Sequence, residues 1–77
     1  MNLNELQNKL LEMNIPDHAY SLNGGLPNET FCIDKNTDGW KTYYSERGNK
    51  KECRVFDSEE SACNYFLIWI KRNFRIS

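Results

Sequence analysis

Apolar residues recur at helical spacing at the start of the chain, where Leu3, Leu6, Leu10, Leu11 and Met13 stand between Asn, Gln, Glu and Lys. This pattern predicts an amphipathic helix of about three turns. Asn2 or Asn4 is placed to cap its start, and Pro16 to stop it. Alternation then replaces helical spacing. Residues 30–34, 40–46 and 51–56 each read as a strand. Asn36-Thr37-Asp38-Gly39 separates the first two, with Asp-Gly a strong hairpin signal, and Arg47-Gly48-Asn49-Lys50 turns the chain again. Helical spacing returns after Asp57, which fits an N-cap with Glu60 at capping-box distance. This helix is predicted to run to about Asn73. Its apolar arc holds Ala62, Cys63, Phe66, Leu67, Ile70 and Phe74, with Tyr65 and Trp69 at the edge and Ile68 outside. Lys71, Arg72 and Arg75 complement the dipole at its C-terminal end.

Residues 17–29 read as a connector. Asn23-Gly24-Gly25-Leu26-Pro27-Asn28 is dense in turn formers, and Tyr20 and Leu22 are expected to pin it to the core. The phosphate-loop pattern, which needs a following lysine and a helix start, is absent from this stretch. The element order is therefore α-β-β-β-α in one α+β domain over residues 1–77. A three-stranded antiparallel meander with both helices on one face is the architecture that this order predicts.

The length of 77 residues narrows the range of functions. A domain of this size buries only about 60% of its unfolded surface, so hollowing out an active site removes material it needs. Charge is unevenly spread. Residues 1–38 carry net −4 and residues 39–77 carry net +3, for a total of −1. A polyanion binder usually shows a basic surplus, whereas an acidic half suits a cationic protein surface. Cys32, Cys53 and Cys63 are three in number and widely spaced. They suggest reduced thiols in a cytoplasmic setting rather than a disulfide framework or a zinc site. The polar N-terminus does not read as a signal peptide. The apolar stretch from Tyr65 to Ile70 is far too short to span a bilayer.

No catalytic constellation stands out. His18, the single histidine, lies in the connector beside Asp17, without a visible base partner or pocket. Glu59 and Glu60 are paired carboxylates, but a helix cap explains them. No metal or cofactor is implied, and an enzyme is not expected. Nucleic-acid binding is the structural alternative, because α-β-β-β-α is also the order of the double-stranded RNA-binding domain. That module needs cations at the start of its last helix, where this chain has Asp57, Glu59 and Glu60. Lys50, Lys51 and Arg54 form a modest basic patch that keeps the alternative open.

A protein-binding module remains. Tyr, Trp and Arg are favoured interface anchors, and Trp40, Tyr43, Tyr44 and Arg47 cluster on one strand and its turn. Trp40, Thr42 and Tyr44 share a strand face assigned to the core because Trp40 is the largest apolar residue, although Tyr is tolerated on both faces and the opposite assignment stays open. Tyr43 then points outward with Lys41 and Ser45. Glu46 and Arg47 fit either of two roles, fixing the turn by hydrogen bonds or touching a partner.

Three segments carry a resemblance: Gly24-Gly25-Leu26-Pro27-Asn28-Glu29, Trp40 with Tyr43-Tyr44-Ser45-Glu46-Arg47-Gly48, and Phe56-Asp57-Ser58-Glu59-Glu60 followed by Ala62-Cys63 and Tyr65-Phe66. Together with the Leu-rich first helix, they make the chain resemble small immunity proteins of bacterial polymorphic-toxin and contact-dependent growth inhibition systems. The resemblance implies a cytoplasmic antidote that binds a cognate toxin domain, often a nuclease, and blocks it without turnover. It implies no direct nucleic-acid or membrane partner. It assigns no contact to a particular position. Physically, Glu29, Asp34 and Asp38 can mimic phosphates before a basic groove and speed association. Trp40 and Tyr43 can supply buried contact, and Glu46 and Arg47 complete the candidate surface. The free chain is expected to be a monomer or a weak dimer.

Overall fold

Ten residues of amphipathic helix open the computed structural model, which describes residues 1–74. Helix α1 (Leu3–Glu12) leads into a single 3-10 turn at Asp17–Ala19. Strands β1 (Tyr20–Ser21), β2 (Thr30–Asn36), β3 (Gly39–Glu46) and β4 (Asn49–Phe56) follow, and helix α2 (Glu59–Phe74) closes the order. Arg75, assigned above to the helix dipole, lies outside the described residues.

The α+β class holds, but the sheet differs from a three-stranded antiparallel meander. It has four strands in the order β1-β2-β3-β4. β2, β3 and β4 pair antiparallel, whereas β1 runs parallel to β2, with Tyr20 beside Phe31 and Ser21 beside Cys32. Parallel neighbours need a crossover rather than a tight hairpin. Residues 22–29 supply it by passing over the sheet. A strand of two residues is too short to show a period, so the connector hid it.

Both helix boundaries are set by side chains and backbone geometry that differ in part from the expectation. Asn2 caps α1 with a complete capping box: its Oδ1 accepts from the Glu5 amide at 2.9 Å, and the Glu5 carboxylate accepts from the Asn2 amide at 3.0 Å. The helix ends well before Pro16. Asn14 takes a left-handed φ of 58°. The Ile15 amide donates to the Leu10 carbonyl and the Asn14 amide to the Leu11 carbonyl, the paired bonds of a Schellman stop. At α2 the cap is Ser58 rather than Asp57. Ser58 Oγ accepts from the Ser61 amide at 3.1 Å, and Glu60 plays no reciprocal part there.

The two helices run side by side in the same direction on one sheet face. At one end the Leu3 amide donates to Glu59 Oε2 at 2.8 Å. At the other, Glu12 and Met13 share a groove with Leu67 and Lys71. The core lies between this layer and the sheet, built on Leu6, Leu10, Phe31, Ile33, Phe66 and Ile70. Phe31 is its aromatic centre, edge-on to Tyr44 at 4.9 Å and to Trp69 at 4.8 Å. Trp69 is buried, and Ile68 is exposed as its place outside the arc predicts. Phe74, assigned to that arc, is 39% exposed instead, because it lies at the last residue of the helix. Overall extents of 31 × 28 × 17 Å match two layers, since packed layers stand about 10 Å apart.

β4 is the long free edge of the sheet, and Glu52 breaks its regularity with a φ of 54°. The register slips between Thr42 and Tyr44 at this point. A bulge with lysines at Lys50 and Lys51 is a common way to discourage edge-to-edge pairing.

The cap assignment predicts a separation between neighbouring residues. Ser58→Ala is expected to lower unfolding free energy by about 1 kcal/mol, and Asp57→Ala to change it by less than about 0.5 kcal/mol. Urea denaturation of the two variants checks this.

Candidate partner-binding site

The β2–β3 hairpin carries most of the predicted contact residues, and its register decides where each one lies. Cys32 pairs with Tyr43, Asp34 with Lys41, and Lys35 with Trp40. Side chains alternate between faces along a strand. Phe31, Ile33, Trp40, Thr42 and Tyr44 therefore point toward the helices, and Cys32, Asp34, Lys41, Tyr43 and Ser45 point away. Trp40 is half-buried against the core, with the Lys35 ammonium 5.8 Å from its ring centroid.

Tyr43 points outward as expected, yet it has no exposed surface. The crossover covers it. Its hydroxyl donates to the Gly25 carbonyl at 2.7 Å, and the Lys50 ammonium sits 4.6 Å from its ring centroid. The sheet face opposite the helices is thus partly roofed by residues 22–29, and Tyr43 presents no contact area to a partner. Gly24 makes the close approach possible. Its amide donates to the Ile33 carbonyl at 3.1 Å, its φ is +70°, and a Cβ there would lie 2.4 Å from Asp34 Cγ. Asp34 is therefore partly covered as well.

The remaining candidates divide between the two ends of the hairpin, roughly 20 Å apart along seven residues of strand. Asp38 and Trp40 lie at the β2–β3 turn, where the Asp38 amide donates to Asn36 Oδ1 at 3.1 Å. Glu29, Glu46 and Arg47 lie at the opposite end. Arg47 and Gly48 both have positive φ, 51° and 79°, between the paired residues Glu46 and Asn49. This is the type I′ geometry that suits a two-residue hairpin. Asn28 Oδ1 accepts from the Arg47 amide at 3.0 Å, tying the crossover to the turn and bringing Glu29 to this end. The backbone of Arg47 is thus structural, while the residue itself is exposed.

This end gathers charge around one aromatic ring. The Lys51 ammonium donates to Glu46 Oε1 at 2.6 Å. That hydrogen bond, followed by the attraction of the lysine charge, holds the Glu46 carboxyl below its ordinary range and the Lys51 ammonium above its own. The Tyr44 phenol is shifted upward, first by burial and then by the charges of Glu29 and Glu46. Its ring is held from below by Phe31. Tyr44, named in the aromatic cluster of this strand but assigned by alternation to the core face, is the ring at this site. Its place on the core face is legible from alternation, but its position beside Glu29 follows from the crossover alone.

Other chemistry is sparse among the described residues. No group of three His, Cys, Asp or Glu side chains is placed to hold a metal ion, and no helix is long and apolar enough to cross a membrane. His18 is exposed, and the nearby Thr30 hydroxyl donates to the Asn28 carbonyl at 2.9 Å. Cys32 and Cys63 are buried. Burial pushes both thiols up to about 11 and the Tyr43 phenol up to about 12.

Two outcomes follow from this geometry. Gly24→Ala is expected to destabilise by about 1–3 kcal/mol, from its left-handed backbone and the clash with Asp34. Asp34→Ala in the same chain should recover part of that loss, as a double-mutant cycle by urea denaturation would show. Stability is also expected to fall at alkaline pH. The folded chain keeps protons on Cys32 and Cys63 above their ordinary value of 9.0, and on Tyr43 above 10.0. The unfolded chain has lost those protons, so it binds fewer and is favoured as pH rises. The stabilisation is complete below pH 9 and drains between pH 9 and 12, measurable by urea midpoints along that range. Comparison of the chain with protein-family models, curated proteins and solved structures returns no match, so the functional reading rests on this geometry and on the residues that form it.

Proposed function

We propose that this chain acts by stoichiometric occupation of a partner protein, as an immunity protein that binds and occludes a toxin domain. A nuclease is the toxin class that its acidic side chains suit. The observation that carries this reading is the end of the β2–β3 hairpin where Glu29, Tyr44, Glu46 and Arg47 stand together. Tyr and Arg supply most of the energy at many protein interfaces, and carboxylates speed the approach of a cationic partner. Phe31 beneath Tyr44 and Asn28 on the Arg47 amide hold the patch in one arrangement. A pre-ordered surface loses less entropy on binding.

Charge at the second helix supports the same choice over nucleic acid. Glu59 and Glu60 occupy the first turn of α2, where a phosphate-binding module needs cations. The basic side chains of β4 are also engaged within the chain: Lys51 with Glu46, Lys50 on the Tyr43 ring, and Arg54 with the Tyr65 hydroxyl at 2.9 Å.

The test starts from the neighbouring gene: a large secreted protein encoded directly upstream would supply the C-terminal toxin domain for co-expression. Rescue of growth and co-elution in equal amounts are the expected results. Arg47→Gly removes the guanidinium while suiting the positive φ, and should weaken the complex at least about tenfold. Asp38→Ala, at the far end of the hairpin, should leave affinity unchanged. Equal affinity for Arg47→Gly, Glu46→Ala and the parent chain would remove this patch as the contact site. Tight capture of duplex RNA at physiological salt would favour the nucleic-acid alternative.

A further inference from the structure

Residues 22–29 cover the β2 and β3 part of the sheet face opposite the helices, but they belong weakly to the rest of the fold. Of their side chains, Leu22 packs against the core cluster, while Leu26 is 54% exposed. The segment is held instead by a few hydrogen bonds. The Gly24 amide donates to the Ile33 carbonyl, and Ser21 Oγ to the Gly24 carbonyl at 2.9 Å. Tyr43 Oη reaches Gly25, and Asn28 Oδ1 accepts from Arg47. Three of its backbone positions, Gly24, Gly25 and Glu29, have left-handed φ values of 70°, 87° and 53°. Under it, Ser45 Oγ is buried without a hydrogen-bond partner among the described residues. Few apolar contacts and isolated hydrogen bonds are the marks of a segment that opens below the free energy of global unfolding.

We propose that residues 23–29 form a strap that lifts from the outer sheet face as a unit, while Leu22 stays on the core with the sheet and both helices, and that this lift uncovers the Cys32 thiol. The chain contains its own reference points. Cys32 is buried in the outer face beside Tyr43, Cys63 is buried in the core cluster beneath the helices, and Cys53 is exposed on β4. Each thiol reports a different opening. Cys53 needs none, Cys32 needs the strap to lift, and Cys63 needs the helical layer to separate. The free energy of the lift is set by the anchors of the strap, whereas that of helix separation is set by the core. A change confined to the core must therefore leave the strap equilibrium untouched.

The experiment is alkylation of the full chain by iodoacetamide, with each cysteine followed by peptide-resolved mass spectrometry in zero to low urea. Cys53 is expected to react first, Cys32 next and Cys63 last, with the Cys32 rate nearly flat in urea and the Cys63 rate rising steeply. Ile70→Val, a mild loss of core packing, should raise the Cys63 rate roughly two- to tenfold and leave Cys32 unchanged. Tyr43→Phe, which removes the anchor to Gly25, should raise the Cys32 rate about fivefold. A Cys32 rate that shares the urea slope of Cys63 and its response to Ile70→Val would show that the strap opens only with the whole fold, and would overturn the proposal. Labelling of Cys32 no earlier than Cys63 would do the same.

Discussion

The bond from the Tyr43 hydroxyl to the Gly25 carbonyl, 2.7 Å long, joins the two halves of this structure. One layer of helices can cover one face of a sheet. The other face must be solvated or find another cover. Here the chain uses the crossover that its parallel β1–β2 pair demands. The loop that topology requires becomes the roof that Tyr43 and Cys32 require. Central strand β3 consequently has buried residues on both of its faces, with Thr42, Tyr43 and Ser45 all inaccessible. Burying a phenol is favourable when its hydroxyl finds a partner, and the Gly25 carbonyl is that partner. The same crossover delivers Asn28 to the Arg47 turn, so the shape of the candidate contact patch depends on the roof as well.

A second constraint comes from the direction of the helices. Parallel neighbours place two positive dipole ends together, an arrangement that repels unless anions stand there. The chain puts Glu5, Glu59 and Glu60 at that end. Glu59 accepts from the Leu3 amide, one of the amides that α1 cannot satisfy internally. Glu60 lies 4.0 Å from the terminal ammonium of Met1. The carboxylates that make α2 a poor phosphate site are thus the ones that let α1 dock beside it.

Much of the fold is legible in the chain because its signals are local. The Leu spacing of α1, the alternation of β2 and β3, and the arc of α2 each depend on neighbours within a few residues. Asn2 as a cap follows from the same logic. Errors arise where two signals lie one residue apart or where a distant group decides. Asp57 and Ser58 are both good caps, and the start of α2 at Glu59 gives the role to Ser58. Pro16 is a strong stop, but Asn14 can adopt the left-handed geometry earlier, and the burial of Ile15 against the core rewards it for doing so. In the candidate site, Glu29, Glu46 and Arg47 were legible as charged turn residues. Their separation from Asp38, the burial of Tyr43 and the recruitment of Tyr44 were not.

The amino-acid order alone determines the α+β class, the two amphipathic helices and the hairpin whose faces alternate, since these follow from side-chain period and turn chemistry along a short length of chain. Tertiary structure decided that Tyr20 and Ser21 join the sheet, that residues 22–29 cross its outer face, and that Tyr43 is hidden while Glu29, Tyr44, Glu46 and Arg47 meet. Those outcomes rest on pairings, hydrogen bonds and close approaches between residues 9 to 19 positions apart, such as Gly24 with Ile33, Tyr20 with Phe31, Tyr43 with Gly25 and Arg47 with Asn28. No local pattern encodes contacts at that separation, because they exist only once the crossover has closed over the sheet.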